Sequence, residues 1–177
     1  MIRAKMLAPL AGALLFSVEM QAQAQNAPLP YVEYAAKFTC GTETTKEPDD
    51  VVSGVYASSI NIHNPQAQLA VSFIKKLVIA NREDTTIGRI RVLKDVLKPD
   101  QADRVDCIFI RRNLDIATSA YVEGFVVLEV PLAASPAGSA QLIQPVLDVV
   151  AKYTARPSNG QVSTQSVVQI EGKPIKN

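Results

Sequence analysis

From Tyr34 onward, apolar and polar residues alternate with a period of two, and turn-forming residues cut that alternation into short pieces. Residues 34–40 (Tyr-Ala-Ala-Lys-Phe-Thr-Cys) predict a first strand, and the charged, proline-bearing segment 41–50 predicts a loop. Gly54–His63 puts Ile60 and Ile62 on one face and Asn61 and His63 on the other, and Asn64-Pro65 stops it. In residues 70–80, Val71, Phe73, Leu77 and Ile79 share a face with Lys75. Lys76 lies beside it, and the lysine doublet suggests a bulge or a sheet edge.

Residues 82–86 read as a turn and 87–93 as a short strand with Ile90 and Val92 opposed to Arg89 and Arg91. Lys98-Pro99-Asp100-Gln101 is a turn, 102–107 a polar strand, and 108–116 a short helix or turn. Residues 122–130 form the clearest strand, because Phe125-Val126-Val127-Leu128 is apolar on both faces, as a central strand should be. A connector rich in Ala, Ser, Pro and Gly follows at 132–144. Its end also fits helical spacing into 146–153, but Pro145 argues for a strand at 146–155. A turn at 156–160 and a last strand at 161–170 complete the series. These segments predict an all-β fold: one antiparallel β-sandwich of about seven or eight strands over 35–172, with a polar tail at 173–177.

The first residues change the picture. Arg3 and Lys5 precede an apolar run of roughly 13 residues, too short for the ~20 that span a bilayer, and Ala22-x-Ala24 supplies small residues for cleavage. Residues 1–24 are expected to be a signal peptide and 25–34 a loose arm, leaving an exported protein, periplasmic or secreted, with no membrane-spanning segment. No cysteine follows the apolar run, so a lipid anchor is not expected, and no twin-arginine pair precedes it. Charge is balanced at 18 basic against 17 acidic residues, and basic and aromatic residues do not interleave, so nucleic acid is not an expected partner.

Candidate chemistry is sparse. Cys40 and Cys107 are the two cysteines, and in an oxidising compartment their simplest state is one disulfide, with two buried thiols as the alternative. His63 is the one histidine, which removes multi-histidine metal sites and makes any Ser-His-Asp arrangement depend on it. Its place beside Asn64-Pro65 favours a ring bonded to the turn's backbone over a ligand or pH-sensitive contact. Glu129 and Asp148 interrupt apolar strands, and Lys152 follows Asp148 by four. A Glu129–Lys152 cross-strand ion pair is expected rather than a Glu129–Asp148 carboxylate pair. Asn61, His63, Glu129, Asp148 and Lys152 are therefore the candidate polar site. The acidic residues Glu43, Glu47, Asp49 and Asp50 lack the spacing of a calcium loop, and neither metal nor cofactor is expected.

The succession Ala36-Lys37-Phe38-Thr39-Cys40-Gly41, Ile60-Asn61-Ile62-His63-Asn64-Pro65, Lys75-Lys76, Pro99-Asp100, Asp106-Cys107, Glu123 to Glu129 and Leu147 to Ala155 resembles a group of small, usually exported bacterial proteins without an assigned activity. That resemblance implies a β-rich fold. The strand order also resembles, faintly, the small β-sandwich transducer proteins associated with bacterial sensory rhodopsin, which implies an oligomeric binding module. Asp103 departs from the first group's pattern, standing where an apolar residue is more usual.

The reading these features favour is a non-enzymatic binding or interaction module of the cell envelope, forming a homo-oligomer or meeting an envelope protein. The alternatives are a hydrolase-like or metal-dependent enzyme using His63, and a structural subunit that assembles by strand pairing.

Overall fold

The computed structural model describes residues 30–44, 51–80, 90–132, 147–158 and 163–175. The expected signal peptide, the start of the arm, the acidic loop from residue 45, the turn at 82–86, nearly all of the connector at 132–144 and the end of the turn at 156–160 lie outside these residues. Among them are nine strands and one helix: β1 (Tyr31–Glu43), β2 (Gly54–His63), β3 (Val71–Ile79), β4 (Ile90–Leu97), β5 (Ala102–Asp106), α1 (Cys107–Leu114), β6 (Val122–Pro131), β7 (Asp148–Pro157), β8 (Thr164–Ile170) and β9 (Lys173–Ile175). No helix among the described residues is long and apolar enough to cross a membrane.

All the pairings are antiparallel, and they run in the order β4-β3-β6-β1-β2-β7-β8, with β5 added to β2 and β9 to β1. The two halves of β1 belong to different sheets. Tyr31 to Cys40 pairs with Pro131 to Val122 of β6, whereas Gly41 to Glu43 pairs with Tyr56 to Gly54 of β2. The switch falls at Gly41, whose φ of +111° is open to glycine and strained for other residues. Strands that pass between sheets at such a kink are how a sandwich makes its corners. The first sheet is β4-β3-β6-β1-β9; the second is β8-β7-β2, with the end of β1 and then β5 following one another along the far edge of β2. The fold is thus the expected antiparallel, sandwich-like all-β fold.

Alternation places the core between the sheets. Val32, Tyr34, Ala36, Phe38 and Cys40 of β1 meet Ile60 and Ile62 of β2, Val126, Leu128 and Val130 of β6, and Val149 and Ala151 of β7. Asp106 starts α1: its carboxylate accepts the Phe109 N–H at 2.9 Å, the usual role of Asp at a helix start, and Ile110 and Leu114 then face the core. Cys40 and Cys107 are joined at an S–S distance of 2.08 Å, so the bridge rather than two free thiols is what the fold holds.

Several boundaries differ from expectation. β1 begins at Tyr31 because Tyr31 to Glu33 pair on both sides, with β6 and with β9, so residues 31–34 are strand and not arm. For the same reason residues 173–175 of the expected tail are a strand. The strand expected at 87–93 is observed as Ile90–Leu97. β3 is no edge: it lies between β4 and β6, and no bulge is needed because each lysine of the doublet finds carboxylates. Lys76 bonds Glu129 on the outer face. Lys75 turns inward, its side chain 2% exposed, to Asp95 at 2.9 Å and Asp103 at 2.5 Å. Asp103, the residue that departs from the resemblance, is thus the counter-charge of a buried lysine reaching across from the other sheet. Val105 on the same strand is fully buried.

Candidate functional site

Four of the five candidate polar residues share one surface. Asn61 and His63 on β2 and Asp148 and Lys152 on β7 all point away from the core on the outer face of the second sheet, with His63 directly opposite Asp148 and Lys152 opposite Ser59. Glu129 does not join them. β6 and β7 lie in different sheets, so the expected Glu129–Lys152 pair cannot form, and Glu129 bonds Lys76 instead.

His63 does not bond the turn backbone. Its Nε2 lies 3.1 Å from Oδ1 of Asp100 and its Nδ1 lies 3.5 Å from Oδ2 of Asp148. The bond to Asp100 is the main reason that the ring's pKa is raised above 6.5, and Asp148 adds to it. What places Asp100 there is Asn64, which is fully buried. Its amide donates to the carbonyls of Leu69, Leu97 and Lys98 at 2.8 to 3.1 Å, and its backbone bonds Gln101 and Asp100. Asn64 thereby clamps the β2–β3 loop to the β4–β5 turn. From sequence it reads only as a strand stop.

Beside this triad runs a polar trough between α1 and β7. Two adjoining depressions, of about 470 and 500 Å³, share Asn61, Arg104, Asp106 and Ile108 as lining. Arg112 borders the first and Lys152 the second. Arg104 is partly neutralised by Asp106 at 3.4 Å, so the trough mixes charges.

The better-formed concavity lies elsewhere. Where β1 leaves the first sheet, the two sheets part, and the gap is a groove of about 550 Å³. Three of the chain's five tyrosines line it: Tyr56 from β2, Tyr121 from the approach to β6, and Tyr153 from β7. Tyr56 and Tyr121 meet edge to face, with centroids 5.8 Å apart and planes at 79°. The Tyr56 hydroxyl donates to the Val52 carbonyl, which fixes its ring. Burial pushes the Tyr153 phenol above its usual pKa of 10.0, so it stays neutral. Lys37 and Glu123, on the adjacent strands β1 and β6, cancel each other along one wall at 3.2 Å, and Thr39, Thr154, Thr164, Gln165 and Ser166 supply hydroxyl and amide groups.

No residue of this groove was a candidate from sequence. Its tyrosines are scattered over the chain, and only the parting of the sheets gathers them. Among the described residues no group of three or more His, Cys, Asp or Glu side chains is placed to hold a metal ion. No family model, curated protein or solved structure matches this chain.

Proposed function

We propose that the mature chain is an exported, non-enzymatic binding module of the cell envelope. Its ligand lies in the tyrosine-lined groove, and its protein partner is a second copy or another envelope protein. The observation that carries this reading is the convergence of Tyr56, Tyr121 and Tyr153 on one concave site. Aromatic walls with a few placed polar groups are what small-ligand sites are made of.

The cancelled Lys37–Glu123 charges suit a neutral ligand, and the ring of hydroxyls suits one that carries hydroxyls itself. A sugar unit, with apolar faces and hydroxyl edges, has both properties. Among the described residues Glu123 is the one carboxylate that lines the groove, and Lys37 pairs with it. The alternative of an enzyme built on His63 is disfavoured because carboxylates occupy both ring nitrogens, leaving none to take a proton from a nucleophile.

The chain has no tryptophan, so its intrinsic emission comes from five tyrosines, three of them in the groove. Titrating the mature protein with maltotriose and with the trimer of N-acetylglucosamine is expected to change that emission saturably with at least one of them. Tyr153→Ala should abolish the change while the protein still unfolds cooperatively. Unaltered emission with both sugars at millimolar concentration would count against the reading.

A further inference from the structure

We infer that β8 is a pairing edge, and that it joins β8 of a second copy antiparallel about a two-fold axis through Val167. This rests on the reading of the chain as an interaction module, and concerns its partner rather than its ligand.

Among the described residues four strands stand at sheet edges: β4, β5, β8 and β9. An open edge offers unpaired N–H and C=O groups to any other strand, and folded proteins blunt it with charge, proline or shortness. Three of the four edges are blunted. β4 carries Arg91, Lys94 and Asp95; β5 has five residues, three of them charged, and runs straight into α1; β9 has three residues, with Pro174 in the middle. β8 reads Thr-Gln-Ser-Val-Val-Gln-Ile, seven residues with neither a charge nor a proline. β7 occupies one side of it from Ala155 to Val149. Six of its seven residues are exposed, and Val167 is 61% exposed.

The sequence of β8 suits its own reverse. With Val167 opposite Val167 of the partner, Gln165 falls opposite Gln169 of the partner, Ser166 opposite Val168 of the partner, and Thr164 opposite Ile170 of the partner. The outer face then shows two glutamine pairs flanking a valine pair, all uncharged, so no like charges meet across the axis. Such an isologous contact closes at two copies and runs the second sheet continuously through both. It also brings the partner strand to the rim of the tyrosine groove, because Thr164, Gln165 and Ser166 line that groove.

Light scattering on the mature protein over a hundredfold concentration range tests this. The expected mass is twice that of one chain. Val167→Lys, which sets two cations against each other on the axis, should return it to one chain without changing the circular dichroism. Val92→Lys, at another exposed valine on the blunted edge β4, should leave the dimer intact. Val167→Cys should form an intermolecular disulfide in the unmutated pairing. A monomer at every concentration, a dimer indifferent to Val167→Lys, or an open polymer in place of a closed pair would overturn the inference. Tyrosine emission measured on the unmutated protein with the same sugars keeps the outcomes separate: ligand binding by an unmutated monomer defeats the pairing alone, and dimers without ligand binding defeat the groove alone.

Discussion

At the scale of the residue, His63 is where charge responds to pH. The raised pKa means that the cation persists above 6.5, held chiefly by Asp100. Since the folded value lies above the unfolded one, the stabilisation is fully present below pH 6.5 and is lost as pH rises through the folded value. His63 is the only histidine, so its ring protons need no assignment in an NMR titration. The midpoint is expected above 6.5, Asp100→Asn should lower it most, and Asp148→Asn should lower it less. Equal midpoints in all three proteins would show that neither carboxylate holds the ring. Sequence placed His63 correctly at a strand end with Asn61 on its face. It could not show Asp100 or Asp148 as partners, because one comes through a turn held by a buried asparagine and the other through a strand much later in the chain.

At the scale of the element, alternation was the readable signal where one face is buried and the other wet. β2, β3 and β6 follow it almost residue by residue, since a one-residue slip would turn the core side chains outward. The signal weakened at β4, whose inward face carries Arg91 and Asp95, and vanished at β9, which is too short to alternate. Lys75-Lys76 misled because charge inside a sheet normally marks an edge, and the carboxylates that satisfy this pair lie on three other strands. The decisive element-scale feature is the corner of β1. A Cβ on Gly41 would stand 2.2 Å from the Ala120 carbonyl oxygen and 2.6 Å from the Arg111 guanidinium, at a φ that side chains resist. Arg111 in turn holds the Ala117 and Ala120 carbonyls, so the obstacle cannot step aside. Gly41→Ala is expected to cost about 3 kcal/mol or more, read as a lowered urea midpoint. An unchanged midpoint would mean that the corner forms elsewhere.

At the scale of the whole molecule, a covalent bridge and a buried charge help to tie the sheets together. The Cys40–Cys107 bridge joins β1 to the start of α1 and closes a long loop, which restrains the unfolded chain. Lys75 runs from the first sheet to Asp103 in the second, between the rings of Phe73 and Phe109 at 5.8 and 5.0 Å. Lys75→Met keeps the packing but leaves two acids facing each other without the cation. Because those acids are partly exposed, the expected loss is about 2 to 4 kcal/mol, toward the lower part of the range for breaking a buried pair. Equilibrium denaturation measures it, and an increase in stability would show that the ion pairs add nothing to the fold.

The corner at Gly41 also bears on timing. β1 is made early, yet Cys40 waits for Val122, and Tyr31 waits for Ile175. Neither sheet can be completed before β8 and β9 have been made, and pairings so distant in sequence form slowly. A chain whose sheets wait for β8 and β9 holds its early strands incompletely paired until those residues follow.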